Sequence, residues 1–185
     1  QIGGTSTDAG AIPNGDIVVN GGTFSVANNA FNGFNTGATV TINNGGTMSA
    51  DNTANNAFNI GAVFINGGTL SSANGPAGPA NDGGFGNWIF NGGVTVGGST
   101  LSTIDASTIA IKSGNFNVAD SVNGPSTDLL VSSRFINTSG GSNTLVKTGT
   151  GTMTLTNANT YTGATVVNDG TLELNRTAGS GGNII

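Results

Sequence analysis

The stretch Ile17-Val18-Val19-Asn20-Gly21-Gly22-Thr23-Phe24-Ser25-Val26 joins two short alternating apolar runs through an Asn-Gly-Gly turn. The same pattern returns with turns that begin at Asn44, Asn66 and Asn91. The equivalent glycines recur at a nearly constant interval: Gly22, Gly46, Gly68 and Gly93. A fixed period with one turn per unit indicates a repeat architecture, in which each unit buries its apolar face against its neighbours.

Two folds fit this unit. Asn-Gly between alternating apolar runs is a strong hairpin signal, which would give antiparallel pairs in a sandwich or a meander. The return of one corner residue at a fixed period favours a parallel β-helix of about seven or eight coils, each with three short strands and three corners. In such a stack we expect the side-chain amides of successive corners to form a structural turn ladder. The expected members are Asn20, Asn44, Asn66 and Asn91.

The units predict a single β-helix domain over residues 1–185. A polar segment of variable length, 73–87, falls at one corner, where insertions cost little. After residue 100 the pattern weakens. The expected repeat units are 17–39, 40–63, 64–88 and 89–109, then a less regular stretch, 110–144, and a final repeat, 145–174.

The composition excludes several classes of function. The chain has no Cys and no His, so it has no thiolate metal site and lacks the commonest general base. Its net charge of −5 argues against binding to nucleic acid. Its apolar runs are too short for a membrane helix, and no stretch has a helical period. We therefore expect an all-β chain that is not an enzyme, needs no cofactor or metal, and does not insert into a membrane.

The C-terminal part carries a more specific motif. It contains Lys147, Gly149, Gly151, the run Asn159-Thr160-Tyr161-Thr162-Gly163 and the run Gly170-Thr171-Leu172. With this motif, residues 145–174 resemble the autotransporter-associated β-strand repeat, which occurs in the passenger domains of large bacterial surface proteins. The resemblance implies a right-handed parallel β-helix exposed outside a bacterial cell. It implies no activity, because the repeat serves as a stalk in proteins with different roles.

Three carboxylates stand at coil spacing. Asp82, Asp105 and Asp128 are separated by equal intervals of about one coil, so an even register would stack them along one edge. Such an edge would favour bound Ca²⁺ or raised pKa values. Lys112 and Arg134, separated by nearly the same interval, would complete a groove for binding or cleaving polysaccharide. The simpler interpretation, which we favour, is that corners of different length produce this spacing by chance.

Aromatic residues also recur. Phe31, Phe58 and Phe85 are evenly spaced along the chain, and they predict either a row of exposed rings for stacking on sugars or a packed aromatic stack. We favour packing, for these residues and for Trp88 and Tyr161.

The sequence favours a non-catalytic extracellular structural protein, a β-helical stalk or fibre segment of an autotransporter-like surface protein, for which filament assembly and adhesion are the two open roles. Few charges oppose association, so we expect end-to-end filaments, helped by apolar residues such as Ile184 and Ile185, or continuation within a larger chain. The alternative is a module that binds or cleaves surface glycans through the Asp82, Asp105 and Asp128 edge. A viral attachment fibre would share the fold.

Overall fold

The computed structural model of the protein describes residues 15–27, 37–51, 57–72, 87–121, 124 and 126–176. These residues form eighteen short strands, and no helix occurs among them. The strand that begins at Ile17 belongs to a seven-stranded sheet, which we call the first sheet. We define a coil as the run of chain that begins with one strand of this sheet and continues up to the next, so the described residues contain seven coils. The all-β prediction is therefore confirmed.

The strands follow one another coil by coil. The first two coils contain β1 (Ile17–Val19) and β2 (Gly22–Ala27), then β3 (Val40–Asn43), β4 (Gly46–Asp51) and β5 (Phe58–Ile60). The third and fourth contain β6 (Val63–Asn66), β7 (Thr69–Ser72) and β8 (Trp88–Phe90), then β9 (Val94–Val96), β10 (Ser102–Ile104) and β11 (Thr108–Ala110). The last three contain β12 (Asn115–Val118), β13 (Leu129–Val131) and β14 (Arg134–Ile136), then β15 (Leu145–Thr148) and β16 (Thr152–Leu155), then β17 (Thr165–Val167) and β18 (Thr171–Leu174).

Each coil contributes its strands to different sheets. The first sheet has the order β1-β3-β6-β9-β12-β15-β17, the second β2-β4-β7-β10-β13-β16-β18, and the third β5-β8-β11-β14. Every paired strand runs parallel to its neighbours, as in β3 and β6, where Val40 lies opposite Val63. This is the arrangement of a parallel β-helix. The hairpin alternative is wrong, because the two strands that flank an Asn-Gly-Gly turn belong to different sheets.

The coil boundaries differ from the expected units after the second coil. The coils begin at residues 17, 40, 63, 94, 115, 145 and 165. The long polar segment between β7 and β8 extends the third coil, and the turn at Asn91 precedes a strand of the first sheet. That turn therefore does not correspond to the turns at Asn20 and Asn66, which precede strands of the second sheet.

The core lies between the three sheets and consists of stacked columns of side chains. Alternate residues of each strand face inwards, so equivalent residues of successive coils lie over one another. Val40, Val63, Val94 and Phe116 form one such buried column. Aromatic rings fill the wider places, and the ring centroids of Phe116 and Phe135 are 5.4 Å apart.

Candidate functional site at the Lys147 corner

A buried lysine stands in one of the apolar columns. Lys147 in β15 lies opposite Phe116 of the preceding coil and Val167 of the following coil, and none of its surface is exposed. It is the last inward-facing residue before the corner that leads to β16. Burying an ammonium group among apolar residues costs free energy unless its N–H groups donate hydrogen bonds. The hydrogen-bond partners of Lys147 therefore define the role of this corner.

The Lys147 ammonium donates to three backbone carbonyls. Nζ lies 2.9 Å from the oxygen of Thr148, 2.7 Å from that of Gly149 and 3.2 Å from that of Asp169. The first two belong to its own corner and the third to the corner of the next coil. Since an ammonium has three protons, all its donors are used. Lys147 therefore fastens two successive corners together.

A buried carboxylate completes the polar cluster. Asp128 is 4% exposed and precedes β13. Its Oδ1 accepts hydrogen bonds from Ser121 N at 2.9 Å and Ser121 Oγ at 2.7 Å, and its Oδ2 accepts one from Thr152 N at 2.7 Å. Ser121 belongs to the same corner and Thr152 to the next coil. Asp128 thus closes its own corner and also fixes the start of β16.

Burial shifts the pKa values of these two groups in one direction, and their charged or hydrogen-bonding neighbours shift them in the other. For Lys147, burial lowers the pKa, and the attraction of Asp169 and Asp128 restores only part of it. For Asp128, burial raises the pKa, but the hydrogen bonds from Ser121 and Thr152 and the positive charge of Lys147 outweigh it. The pKa of Asp128 consequently lies below its usual range.

The motif glycines allow the corners to stack this closely. Gly149 has φ +74°, in the left-handed region that favours glycine. A Cβ at Gly151 would lie 2.5 Å from the oxygen of Ala119 and 2.7 Å from Oδ2 of Asp128. A larger residue at position 151 would therefore displace the carboxylate.

The Asn-Thr-Tyr run supports the opposite side of the same coil. Asn159 is buried, and its Oδ1 accepts a hydrogen bond from Phe135 N at 2.8 Å, which ties the chain to β14. The ring of Tyr161 packs in the core, and its hydroxyl lies 2.7 Å from Oγ1 of Thr165. Burial raises the pKa of Tyr161, although the hydrogen bond with Thr165 lowers it in part.

These buried motif residues all lie within one segment of the chain, and that segment matches a known protein family. Residues 145–174 match the passenger-associated transport repeat. The match confirms the resemblance expected from the motif, and the family is a structural repeat of the passenger domains of secreted or surface proteins. No curated protein and no solved structure matches the chain. In this passenger repeat, the polar motif residues Lys147 and Asn159 bind the chain's own backbone.

The asparagine column takes a different path from the expected one. Asn43 Nδ2 donates to Asn20 Oδ1 at 2.7 Å, and Asn66 Nδ2 donates to Asn43 Oδ1 at 2.9 Å. The column passes through Asn43 because the second coil has one more residue at this corner, which leaves Asn44 exposed in the turn. Asn91 lies at the corner after β8 and donates to Asn59 Oδ1 at 3.0 Å. The four expected residues therefore do not form one ladder.

We expect Asn43→Ala to lower the free energy of unfolding by about 1 kcal/mol, because both hydrogen bonds of the column depend on this amide. Asn44→Ala is the matched control and should change it less, since Asn44 is exposed outside the column. Urea denaturation of both variants measures the difference. Equal losses would show that the column does not stabilise the stack.

The carboxylate edge is not formed by the aspartates that the structure describes. Asp105 follows β10, whereas Asp128 precedes β13, and these neighbouring strands pair with Ile104 opposite Val131. The two carboxylates therefore lie at opposite ends of the second sheet, about 13 Å apart along the strands. Asp82 lies outside the described residues. Asp105 and Asp128 are one coil length apart in the sequence but do not occupy equivalent places, because the corners between them differ in length.

The alternative groove with Lys112 and Arg134, which we did not favour, is also not formed. Lys112 follows β11, whereas Arg134 begins β14, the next strand of the third sheet, where it lies opposite Thr108. The two side chains consequently belong to opposite ends of that sheet. Within the described ranges, no three potential metal ligands come together, and no helix is long and apolar enough to cross a membrane.

The expected packing of the aromatic residues is confirmed where they are described. Phe58 and Trp88 are fully buried, with ring centroids 5.5 Å apart, and Tyr161 is also buried. Trp88 Nε1 donates to the oxygen of Ser71 at 2.8 Å. Phe31 and Phe85 lie outside the described residues. Phe58 and Trp88 therefore offer no surface on which a sugar ring could stack.

Proposed function

We propose that this chain is a non-catalytic, rod-forming segment of a bacterial passenger protein that is secreted or displayed at the cell surface. The observation that carries the proposal is the Lys147 corner. Lys147 is the most distinctive charged residue of the passenger repeat, and its ammonium group donates hydrogen bonds to three backbone carbonyls. A group used in this way stabilises the stack and has no proton left for a substrate.

The other polar groups support the same conclusion. Asp128 uses both its oxygens to hold the backbone of two coils. The two described aspartates proposed for glycan chemistry lie at opposite ends of a sheet, and the chain has no histidine. These observations favour a structural role over a polysaccharide-cleaving one. In this role the rod carries other parts of a longer passenger, or adhesive surfaces, away from the cell.

Surface labelling tests the proposal. Antibodies raised against the folded chain should label intact cells of the source organism, and mild external protease should remove the signal without breaking the cells. Labelling only after permeabilisation would place the protein inside the cell and contradict the proposal. An antibody against a cytoplasmic protein serves as the control for cell integrity.

A further inference from the structure

Four corners share one local sequence but differ in the hydrogen bonds that hold them. Each begins with Asn-Gly-Gly, at Asn20, Asn44, Asn66 and Asn91. An asparagine that precedes glycine is prone to lose its side-chain amide, because the glycine nitrogen can attack the side-chain carbon Cγ and has no side chain to hinder the attack. Since the two residues after each asparagine are identical, differences in reactivity among the four sites depend on the fold.

The site at Asn66 is held at both reacting groups. The nitrogen of Gly67 donates a hydrogen bond to Oγ of Ser102 at 2.9 Å. The side-chain Nδ2 of Asn66 donates one to Oδ1 of Asn43, also at 2.9 Å. A Cβ at Gly67 would collide with Thr100, so the peptide group has little room to turn. The attacking nitrogen and the amide under attack are therefore both fixed in place.

The site at Asn91 is held in the same way. The nitrogen of Gly92 donates to the backbone oxygen of Gly61 at 3.2 Å. The side-chain Nδ2 of Asn91 donates to Oδ1 of Asn59 at 3.0 Å. A Cβ at Gly92 would lie 2.5 Å from the nitrogen of Ala62, so this corner is also closely packed. The sites at Asn66 and Asn91 can consequently react only when their corners open.

The site at Asn44 has none of these restraints. Asn44 is exposed in its turn, and no residue that the structure describes forms a hydrogen bond with its side-chain amide or with the nitrogen of Gly45. Gly45 has φ +77°, and apart from its chain neighbours no residue comes within 4 Å of the position that a Cβ there would take. The side chain of Asn44 and the peptide group of Gly45 therefore have room to turn towards each other.

Asn20 is an intermediate case. Its Oδ1 accepts the hydrogen bond from Asn43 at 2.7 Å, which fixes the side chain in the column. The nitrogen of Gly21 has no hydrogen-bond acceptor among the described residues. One of the two reacting groups is thus held, and Asn20 should react more slowly than Asn44. The asparagines of the remaining Asn-Gly pairs lie outside the described residues: Asn14, Asn32, Asn74 and Asn123.

We propose that the corner at Asn44 is a site of covalent modification that needs no enzyme, at which the folded chain loses ammonia and gains a carboxylate. The nitrogen of Gly45 attacks Cγ of Asn44, and the new C–N bond closes a cyclic imide. The side-chain nitrogen leaves as ammonia and carries away the proton of the Gly45 nitrogen. Water then opens the imide at either carbonyl and gives aspartate or isoaspartate. Water is the only co-reactant, and no atom is oxidised or reduced.

The modification changes the charge of the rod at one place. Each event adds one negative charge to a chain whose net charge is −5, because the new carboxyl group is ionised at neutral pH. The isoaspartate product also lengthens the backbone of this corner by one methylene group. Because Asn44 lies outside the asparagine column, neither product removes a hydrogen bond of that column. The modification does not depend on where the rod is displayed.

Site-resolved mass spectrometry of the full chain tests the proposal. The folded protein is incubated in mildly alkaline buffer and then digested with pepsin in acid, where imide formation is slow. Asn44 should be converted at least about tenfold faster than Asn66 and Asn91, since each of those sites must first break two hydrogen bonds. In denaturant, the four sites should react at similar rates.

A matched variant tests the cause of the difference. Ser102→Ala removes the acceptor of the Gly67 nitrogen, so it should speed the conversion of Asn66 in the folded chain and leave the rate at Asn44 unchanged. Equal conversion of Asn66 in the parent and the variant would contradict the protective role of this hydrogen bond.

Two outcomes would overturn the proposal. In one, Asn20, Asn66 or Asn91 reacts as fast as Asn44 in the folded chain. In the other, folding slows Asn44 as much as it slows Asn66 and Asn91. Neither outcome would alter the surface-labelling result, which separates this proposal from the function proposed above.

Discussion

Replacing Lys147 with methionine is expected to lower the free energy of unfolding by about 2–4 kcal/mol, because three backbone carbonyls lose a charged donor in a buried corner. Methionine keeps most of the side-chain volume, so the loss measures the hydrogen bonds and not a cavity. Lys112→Met is the matched control. Lys112 is exposed, and its replacement should change stability by less than about 0.5 kcal/mol.

The pH dependence of the Lys147→Met variant gives a readout that loss of packing would not produce. Since folding lowers the pKa of Lys147, the unfolded chain binds more protons than the folded chain between that lowered pKa and the ordinary lysine value of about 10.4. The parent should therefore gain stability relative to the variant as the pH rises through this window. If the difference in the free energy of unfolding between the two proteins stayed constant with pH, the result would contradict a buried Lys147 ammonium with a lowered pKa.

Asp128→Asn is expected to lower the free energy of unfolding by about 2–3 kcal/mol. Oδ1 and Oδ2 each accept a hydrogen bond from a backbone N–H, of Ser121 and Thr152. Whichever way an asparagine amide is turned, its NH₂ group faces one of these donors, and that hydrogen bond is lost. Asp105→Asn is the matched control, because the described structure gives the Asp105 carboxylate no hydrogen-bond partner and its buried Oδ1 is unsatisfied. Chemical denaturation at neutral pH compares the two variants.

Lowering the pH should reduce the difference in the free energy of unfolding between the parent and the Asp128→Asn variant. The pKa of Asp128 is lower in the folded state than in the unfolded chain, so its contribution to stability is complete above the ordinary value of about 3.9. That contribution is lost as the pH falls from there through the folded pKa. The two proteins should therefore converge below about pH 4, and a gap that widened in acid would reverse the assigned direction of the shift.

The parallel fold could be predicted because its signals are local. Alternating apolar residues such as Ile17 and Val19 place one face inwards, and the glycine turns return at the length of a coil. The alignment of corners was less predictable, because Asn-Gly-Gly occurs at two different corners. Only the backbone path shows that Asn43, and not Asn44, continues the column, and that Asn91 lies elsewhere.

The candidate site was predictable only in part. The motif of the passenger repeat indicated Lys147 and Asn159, although spacing alone did not reveal that both bind the backbone. The bond between Asp128 and Ser121 left no recognisable signal, because it lies within an irregular corner. The spacing of the aspartates by about one coil suggested, as an alternative, a stack of carboxylates. Asp105 and Asp128 do not stack, because evenly spaced residues occupy equivalent places in successive coils only where the corners have the same length.

Spin-label distances test the stacked parallel coils most directly. Labels at Val18 and Asn117, both exposed on the first sheet, are four strand positions apart, and labels at Val18 and Asn168 are six positions apart. At about 4.8 Å per position, the distances between backbones should be about 19 Å and about 29 Å in samples diluted with unlabelled protein. An increase of about 10 Å between the two pairs supports the stack. Equal distances, or a shorter one for Asn168, would contradict it.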